Sequence, residues 1–455
     1  MKNFANYTGI SGCWLGDSAR LSGMLAARKW NGFVMTRVLY TLILYLALPL
    51  IALRLLWRAR LAPAYRQRWG ERFAWAGRKP HGPSLWVHAV SVGETLAALD
   101  LIEVLLQRYP EHRLLVTTTT PTGSERVRSA LGARVDHVYL PYDLPDVWWR
   151  FFRQFKPALL IVMETELWPN LLAACEGRAI PVLLANARLS ARSAAGYQRL
   201  AWLARPMLKR LTCVAAQQRA DADRFVALGV PTQAIQVTGS IKFDLSLAPA
   251  QRQAAEALRA RWAPSNEVLW LAASTHQGED EIVLKAFALA RRQVPELRLV
   301  LVPRHPERFD RVTSLCQQAG WRTERHSRGV SAGFDVLVGD TMGELLIFYG
   351  ACDLSFVGGS LVATGGHNMI EPAAWAKPVL CGPHLFNFAE VSRLLQEAGG
   401  LEVVEDAQTL AEEVITLCVQ PPERERRGQA ALSVAENNRG ALKRLLSAVD
   451  HLMTN

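Results

Sequence analysis

Short apolar runs without alternation constrain this chain most. SLWVHAV (84–90), RLLVTT (113–118), DHVYL (136–140), ALLIVM (158–163), IPVLLA (180–185) and TCVAA (212–216) follow one another, and helix-length stretches such as 94–107 and 122–131 separate most of them. A run that is apolar at every position needs cover on both faces, as a strand in a parallel sheet has. Parallel neighbours require right-handed crossovers, so the pattern predicts a doubly wound α/β domain. VLWLAA (268–273), LRLVLV (297–302), DVLV (335–338), DLSFVG (353–358) and KPVLC (377–381) predict a second one. Ligands of open α/β sheets bind at the carboxyl ends of the strands, so two such domains are expected to face each other across a cleft lined by strand-end loops.

The expected organisation is a non-native leader or disordered extension over 1–34, a membrane anchor over 35–57 and a first Rossmann-like domain over 58–245. A linker follows over 246–264, then a second Rossmann-like domain over 265–455 that carries one or two amphipathic terminal helices. GISGCWLGDSARLSG, in the leader, has no helical or strand period, and translation is expected to begin at Met35.

VLYTLILYLALPLIAL (38–53) holds no charge and is bounded by Arg37 and Arg54. It reads as a membrane anchor or half-buried interfacial helix, with a core helix as the alternative. From Arg54 to Lys79 there are eight basic residues against the single acid Glu71, which favours a cytoplasmic, anionic membrane surface. A net charge of +11 also suits a phosphorylated substrate or nucleic acid. Nucleic acid is not expected, because aromatic RNA-binding strands and a basic recognition helix are missing from the sequence. The seven cysteines are scattered without a CxxC, so buried thiols are expected, Cys213 and Cys381 among them.

The strand-end loops carry the chemistry. In LVPRHPERF (301–309), Pro303, Arg304 and His305 follow a buried run. A guanidinium there needs a partner, either a phosphate or an acid of the neighbouring domain. GDTMGEL (339–345) sets Gly343 and Glu344 at a helix start, where free N–H groups suit an anion. In FVGGSLVATGGHNMIEPA (356–373), paired glycines allow close approach of a ligand, and Asn368 with Glu371 has both ribose-binding and capping-box readings. GxGxxG and Walker A patterns are missing, which favours a nucleotide over a dinucleotide. In the first half Glu94, Glu164 and Glu166 end strands, and TTTTPTGSE and ANARLSARS add Thr, Ser and Arg. Glu94 reads either as a helix cap or as a carboxylate for proton transfer. Metal-ligand spacing is missing: Asp221 and Asp223, two apart on a helix-like run, point to different faces, and mid-strand His88 reads as a core histidine.

WVHAVSVGE, TTTTPTGSE, YLPYDLP, METELWPNLL, ANARLS, VTGSIKFD, LVPRHPERF, DTMGEL and GGSLVATGGHNMIEPA, in this order, resemble the 3-deoxy-D-manno-octulosonic acid (Kdo) transferases of Gram-negative lipopolysaccharide synthesis. The resemblance runs from about Met35 to the C-terminus. It implies a metal-independent GT-B glycosyltransferase with CMP-Kdo as donor, no required cofactor and an anchor at the cytoplasmic face of the inner membrane. The acceptor it implies is the 6′-hydroxyl of the tetra-acylated lipid A precursor, lipid IVA, attacked with inversion. By the same resemblance Glu94 is the general base, and Glu164 and Lys242 support the transition state. Pro303, Arg304, Met342, Gly343, Glu344, Asn368, Met369, Ile370 and Glu371 are the implied CMP-binding residues. Ala363 departs from the family pattern, which commonly has proline there, but the change removes no functional side chain. Another GT-B sugar transferase or a sugar-nucleotide epimerase on the same fold, and a non-catalytic membrane-tethered nucleotide- or RNA-binding protein, remain the alternatives.

Overall fold

The computed structural model describes residues 16–61, 63–75, 82–90, 92–330 and 333–454, with side chains from Met35 onward except at 61, 63, 64 and 92. Two seven-stranded parallel sheets organise the chain. The first comprises β1 (Ser84–His88), β2 (Arg113–Thr118), β3 (Asp136–Tyr139), β4 (Pro157–Met163), β5 (Val182–Ala187), β6 (Cys213–Ala216) and β7 (Ile235–Val237). Its spatial order is 3-2-1-4-5-6-7. The second comprises β8 (Val268–Thr275), β9 (Leu297–Pro303), β10 (Thr323–Arg325), β11 (Val336–Val338), β12 (Leu354–Val357), β13 (Val379–Cys381) and β14 (Leu401–Val403). Its order is 10-11-9-8-12-13-14. In each sheet the chain builds one side first and then returns to the other, with β11 inserted between β9 and the edge strand β10, so the order reverses beside β1 and β8. Between those strands and their neighbours β4 and β12 lie the switch points where open sheets bind ligands.

Alternate residues of each strand serve opposite faces, as double cover requires. Trp86, Leu160, Val162 and Leu184 join one cluster, while Leu85, Val87, Ile161 and Leu183 join another. Trp86 packs against Phe151 with ring centroids 4.7 Å apart, so the helix Pro145–Phe155 supplies an aromatic layer over β1. The thiols of Cys213 and Cys381 are buried, as expected.

Three features differ from the sequence expectation. The first unit takes the chain up to Ile241 and resumes at Ala441, whereas Lys242–Gly440 form the second. The expected linker is the helix Pro249–Trp262, whose Ala255, Leu258 and Trp262 are buried at helical spacing in the second unit. The last helix, Ala441–Thr454, belongs to the first unit: Leu445, Leu446 and Val449 complete the cluster around Leu85 and Val87, and Tyr109 donates to Asp450 at 2.6 Å. The expected leader lies partly outside the described residues; from Gly16 it is continuous with the helix that runs to Leu61.

His88 is fully buried, with Nδ1 2.9 Å from Thr117 Oγ1. Burial pushes its pKa down from 6.5 to about 4. Between those values the unfolded chain holds more protons than the folded one, so stability falls as the pH drops from 6.5 toward 4. The loss attributable to this imidazole is on the order of 3 kcal/mol. Urea unfolding across that range should show a decline that His88→Asn lessens. Equal declines in both proteins would exclude the effect.

Candidate active site

In the first unit, Glu94 and Glu164 sit on the two loops that flank the switch point. Glu94 lies in the first turn of Val92–Arg108, directly after β1. Its Oε2 accepts the N–H of Val90 at 2.8 Å, while Thr119 Oγ1 donates to Val90 O at 3.2 Å. The carboxylate therefore does cap the turn, and the hydrogen bond fixes its position. Glu164 directly follows β4 with φ +57°, and Asn186 in β5 has φ +52°. Two adjacent strands therefore turn through the left-handed region, a strain found at functional sites. Asn186 is 1% exposed; its Oδ1 accepts the N–H of Ile241 at 3.2 Å, and its Nδ2 has no partner within the protein. Burial raises the pKa of Glu166, two residues past Glu164. Ile241 opens the tight turn that brings Lys242 into the second unit, where Lys242 Nζ lies 5.7 Å from the Phe388 ring centroid.

In the second unit, loops after β8, β9 and β12 converge. Arg304 follows Pro303 at the end of β9, and its N–H donates to Thr275 O at 3.0 Å. Burial pushes the Glu371 carboxyl up and holds His367 neutral, and the Arg304 guanidinium is near enough to pull both pKa values down. Asn368 donates to Glu371 Oε1 at 3.0 Å and accepts the N–H of Ile370 at 3.1 Å. The pair therefore holds its short turn together, but Glu371 does not reach back to a backbone amide as a capping box would. Met369 and Ile370 are buried in the apolar cluster with Val357 and Cys381, so their side chains anchor the loop and only their backbone can face a ligand. Met342, Gly343 and Glu344 follow β11; Met342 is 63% exposed, and the helix they precede, Leu345–Ala351, is only seven residues long.

Two residues of this region escaped the sequence reading. His276 follows β8, and its Nε2 lies 2.8 Å from His367 Nε2. The position was findable, because it ends the first buried run of the second half. Glu279 is fully buried and accepts four backbone N–H groups, from His276, Gly359, Ser360 and Leu361, at 2.7–2.9 Å. One carboxylate thus fixes both loops of the β8–β12 switch point. Close packing completes the arrangement: a Cβ on Gly382 would lie 2.3 Å from the Ser360 carbonyl.

Residues 67–245 match the family model for 3-deoxy-D-manno-octulosonic-acid transferase (kdotransferase). The 3-deoxy-D-manno-octulosonic acid transferase of Haemophilus influenzae is 43% identical over 417 residues, which cover 90% of this chain and 97% of the relative. That of Bordetella pertussis is 37% identical over 435 residues, covering 91% and 99%. The chain belongs to the Kdo transferase family. It is a glycosyltransferase of lipopolysaccharide biosynthesis. The solved UDP-GlcNAc 2-epimerase of Neisseria meningitidis superposes with a TM-score of 0.56 at 16% identity, covering 82% of this chain and all of that one. A glycosyltransferase from Rickettsia africae gives 0.52 at 15% identity, covering 83% of this chain and all of that one. These likenesses concern the GT-B fold alone. For this Kdo transferase, the strand-end loops are the places where chemistry is to be sought.

Proposed function

We propose that this Kdo transferase takes Kdo from CMP-Kdo and attaches it to the 6′-hydroxyl of lipid IVA, releasing CMP, at the cytoplasmic face of the inner membrane. The observation that carries the reading is the position of Glu94 and Glu164 on the β1 and β4 loops, at a switch point, with Arg304, Asn368 and Glu371 gathered at the ends of β9 and β12.

The second unit takes the donor. Arg304 meets the phosphate, Glu371 accepts from ribose hydroxyls while held by Asn368, and Pro303, Met342, Gly343, Glu344, Met369 and Ile370 shape the nucleotide pocket. The first unit takes the acceptor. Glu94, positioned by the Val90 amide, removes the proton as the hydroxyl attacks C2 of Kdo. A new C–O bond forms on the face opposite the departing phosphate, so configuration inverts and CMP leaves with the bonding electron pair. Glu164 and Lys242 support the charge that develops. No step needs a metal or cofactor.

Incubating the membrane-associated enzyme with CMP-Kdo and lipid IVA should give a product heavier by one or more Kdo units, read by mass spectrometry. Arg304→Ala should lower kcat/KM for CMP-Kdo by roughly 10²-fold. Full activity of that variant would remove Arg304 from the donor site, and absence of any Kdo-bearing product with wild type would overturn the reading.

A further inference from the structure

The helix Gly16–Leu61 contains an apolar segment, Met35–Arg60, that is long enough to cross a membrane by length and composition. Its surroundings in the first unit point to another disposition. Tyr40 donates to Asp143 Oδ2 at 3.0 Å, Thr41 Oγ1 and the Asn170 side chain lie 2.9 Å apart, and Tyr45 donates to Asp146 at 2.5 Å. Leu44 and Leu48 continue the same face into the aromatic cluster over β1. Asp143 is itself a hub. It is 4% exposed and also accepts from Trp148 and from the backbone of Asn170 and Leu171, at 2.7–2.9 Å. Burial raises its pKa, so the donors around it are what keep the carboxylate in place.

The opposite face is bare and aliphatic. Leu39, Leu42, Ile43, Leu46, Leu50 and Leu53 are all more than half exposed. Arg54, Arg58 and Arg60 follow, with Trp57 61% exposed among them. Trp149 and Trp202 are exposed on the neighbouring helices Pro145–Phe155 and Ala201–Leu208. An uncharged aliphatic stripe ending in arginines, with rings nearby, is a surface that meets lipid and sets its basic end at the headgroups.

Crossing conflicts with the polar clip. At 1.5 Å per residue the segment is about 39 Å long, so Tyr45 falls within about 5 Å of its middle. In a perpendicular helix the Asp146 bond would then lie near the centre of the hydrocarbon, and the Asp143–Asn170 hub only about 5–10 Å further along. Ionisable groups at that depth are expensive.

We propose that Met35–Arg60 lies flat in the headgroup boundary of an anionic bilayer, holding the first unit by one face and lipid by the other, and does not cross the membrane. The inference rests on the membrane reading above and specifies its geometry. The occupant of the bare face is lipid, because the arginines at its end complement anionic headgroups while the stripe itself offers a protein partner no polar group.

Nitroxide labels at Leu42→Cys, Leu46→Cys, Leu50→Cys and Leu53→Cys, each in the full chain with Cys13→Ser, test this in phosphatidylethanolamine/phosphatidylglycerol vesicles. Power saturation reads the depth of each label. The expected result is one common depth, within about 5–10 Å of the headgroup level. Depths that change steadily, by about 16 Å from position 42 to 53, would mean a crossing helix and overturn the proposal. Labels shielded from both oxygen and aqueous relaxant, or unchanged by vesicles, would mean a protein-covered or solvent-facing surface and overturn it too. The readout does not involve turnover, so it fails independently of the assigned reaction.

Discussion

Glu94→Gln should lower kcat by roughly 10²–10⁴-fold and leave the unfolding midpoint of the protein almost unchanged. The substitution separates the two roles that the β1 loop gives this residue. A glutamine carbonyl can accept the Val90 N–H as Oε2 does now, so the start of Val92–Arg108 remains satisfied. It cannot take a proton from an attacking hydroxyl. Glu94→Ala removes both functions and should add a stability loss of about 1 kcal/mol from the uncapped turn. Steady-state rates with CMP-Kdo, together with thermal unfolding of both variants, make the comparison. If the glutamine variant turns over at the wild-type rate, Glu94 is a cap and the base lies elsewhere, with Glu166 the next carboxyl to examine because burial has already raised its pKa.

Glu279→Ala should be among the most damaging single changes in the second unit. Four backbone N–H groups on two loops lose their acceptor at once. A buried donor left without a partner costs about 1–3 kcal/mol, and water can rescue some of the four, so a loss of about 3–6 kcal/mol is expected. Glu279→Gln should fall between. It keeps one accepting oxygen, and Oε1 and Oε2 each serve two of the amides. Donor affinity should fall in the same order, because His276 and the glycine loop are the parts released. Denaturant unfolding and CMP calorimetry measure both effects. An alanine variant within about 1 kcal/mol of wild type would show that the loops hold themselves.

The sheets were legible because their central strands are apolar on both faces. Every strand that the apolar runs missed lies at a sheet edge: β7, β10 and β14 have three residues each, and none is buried along its whole length. An edge strand needs less cover, so its composition carries less signal. The strand-end positions of Glu94, Glu164 and Arg304 followed from the same runs. Glu279 did not, since an acid in the first turn of a helix is ordinary and only tertiary contacts reveal the four amides it serves. Asn186 was visible as a polar strand end, but its left-handed backbone was not. The end of the first domain was misplaced for a related reason. An amphipathic helix states that it must bury a stripe, and the stripe on Ala441–Thr454 does not say which of two sheets will receive it.

The chain leaves the first unit after Ile241 and re-enters it at Ala441. Beside that junction the amide of Gly440 donates to Asp244, so the two ends of the second unit are stapled to each other. The second unit is thus a cassette spliced into its host through a single doorway. A short glycine bridge across the opening is the natural way to close the host, and the excised cassette already has its own ends tied.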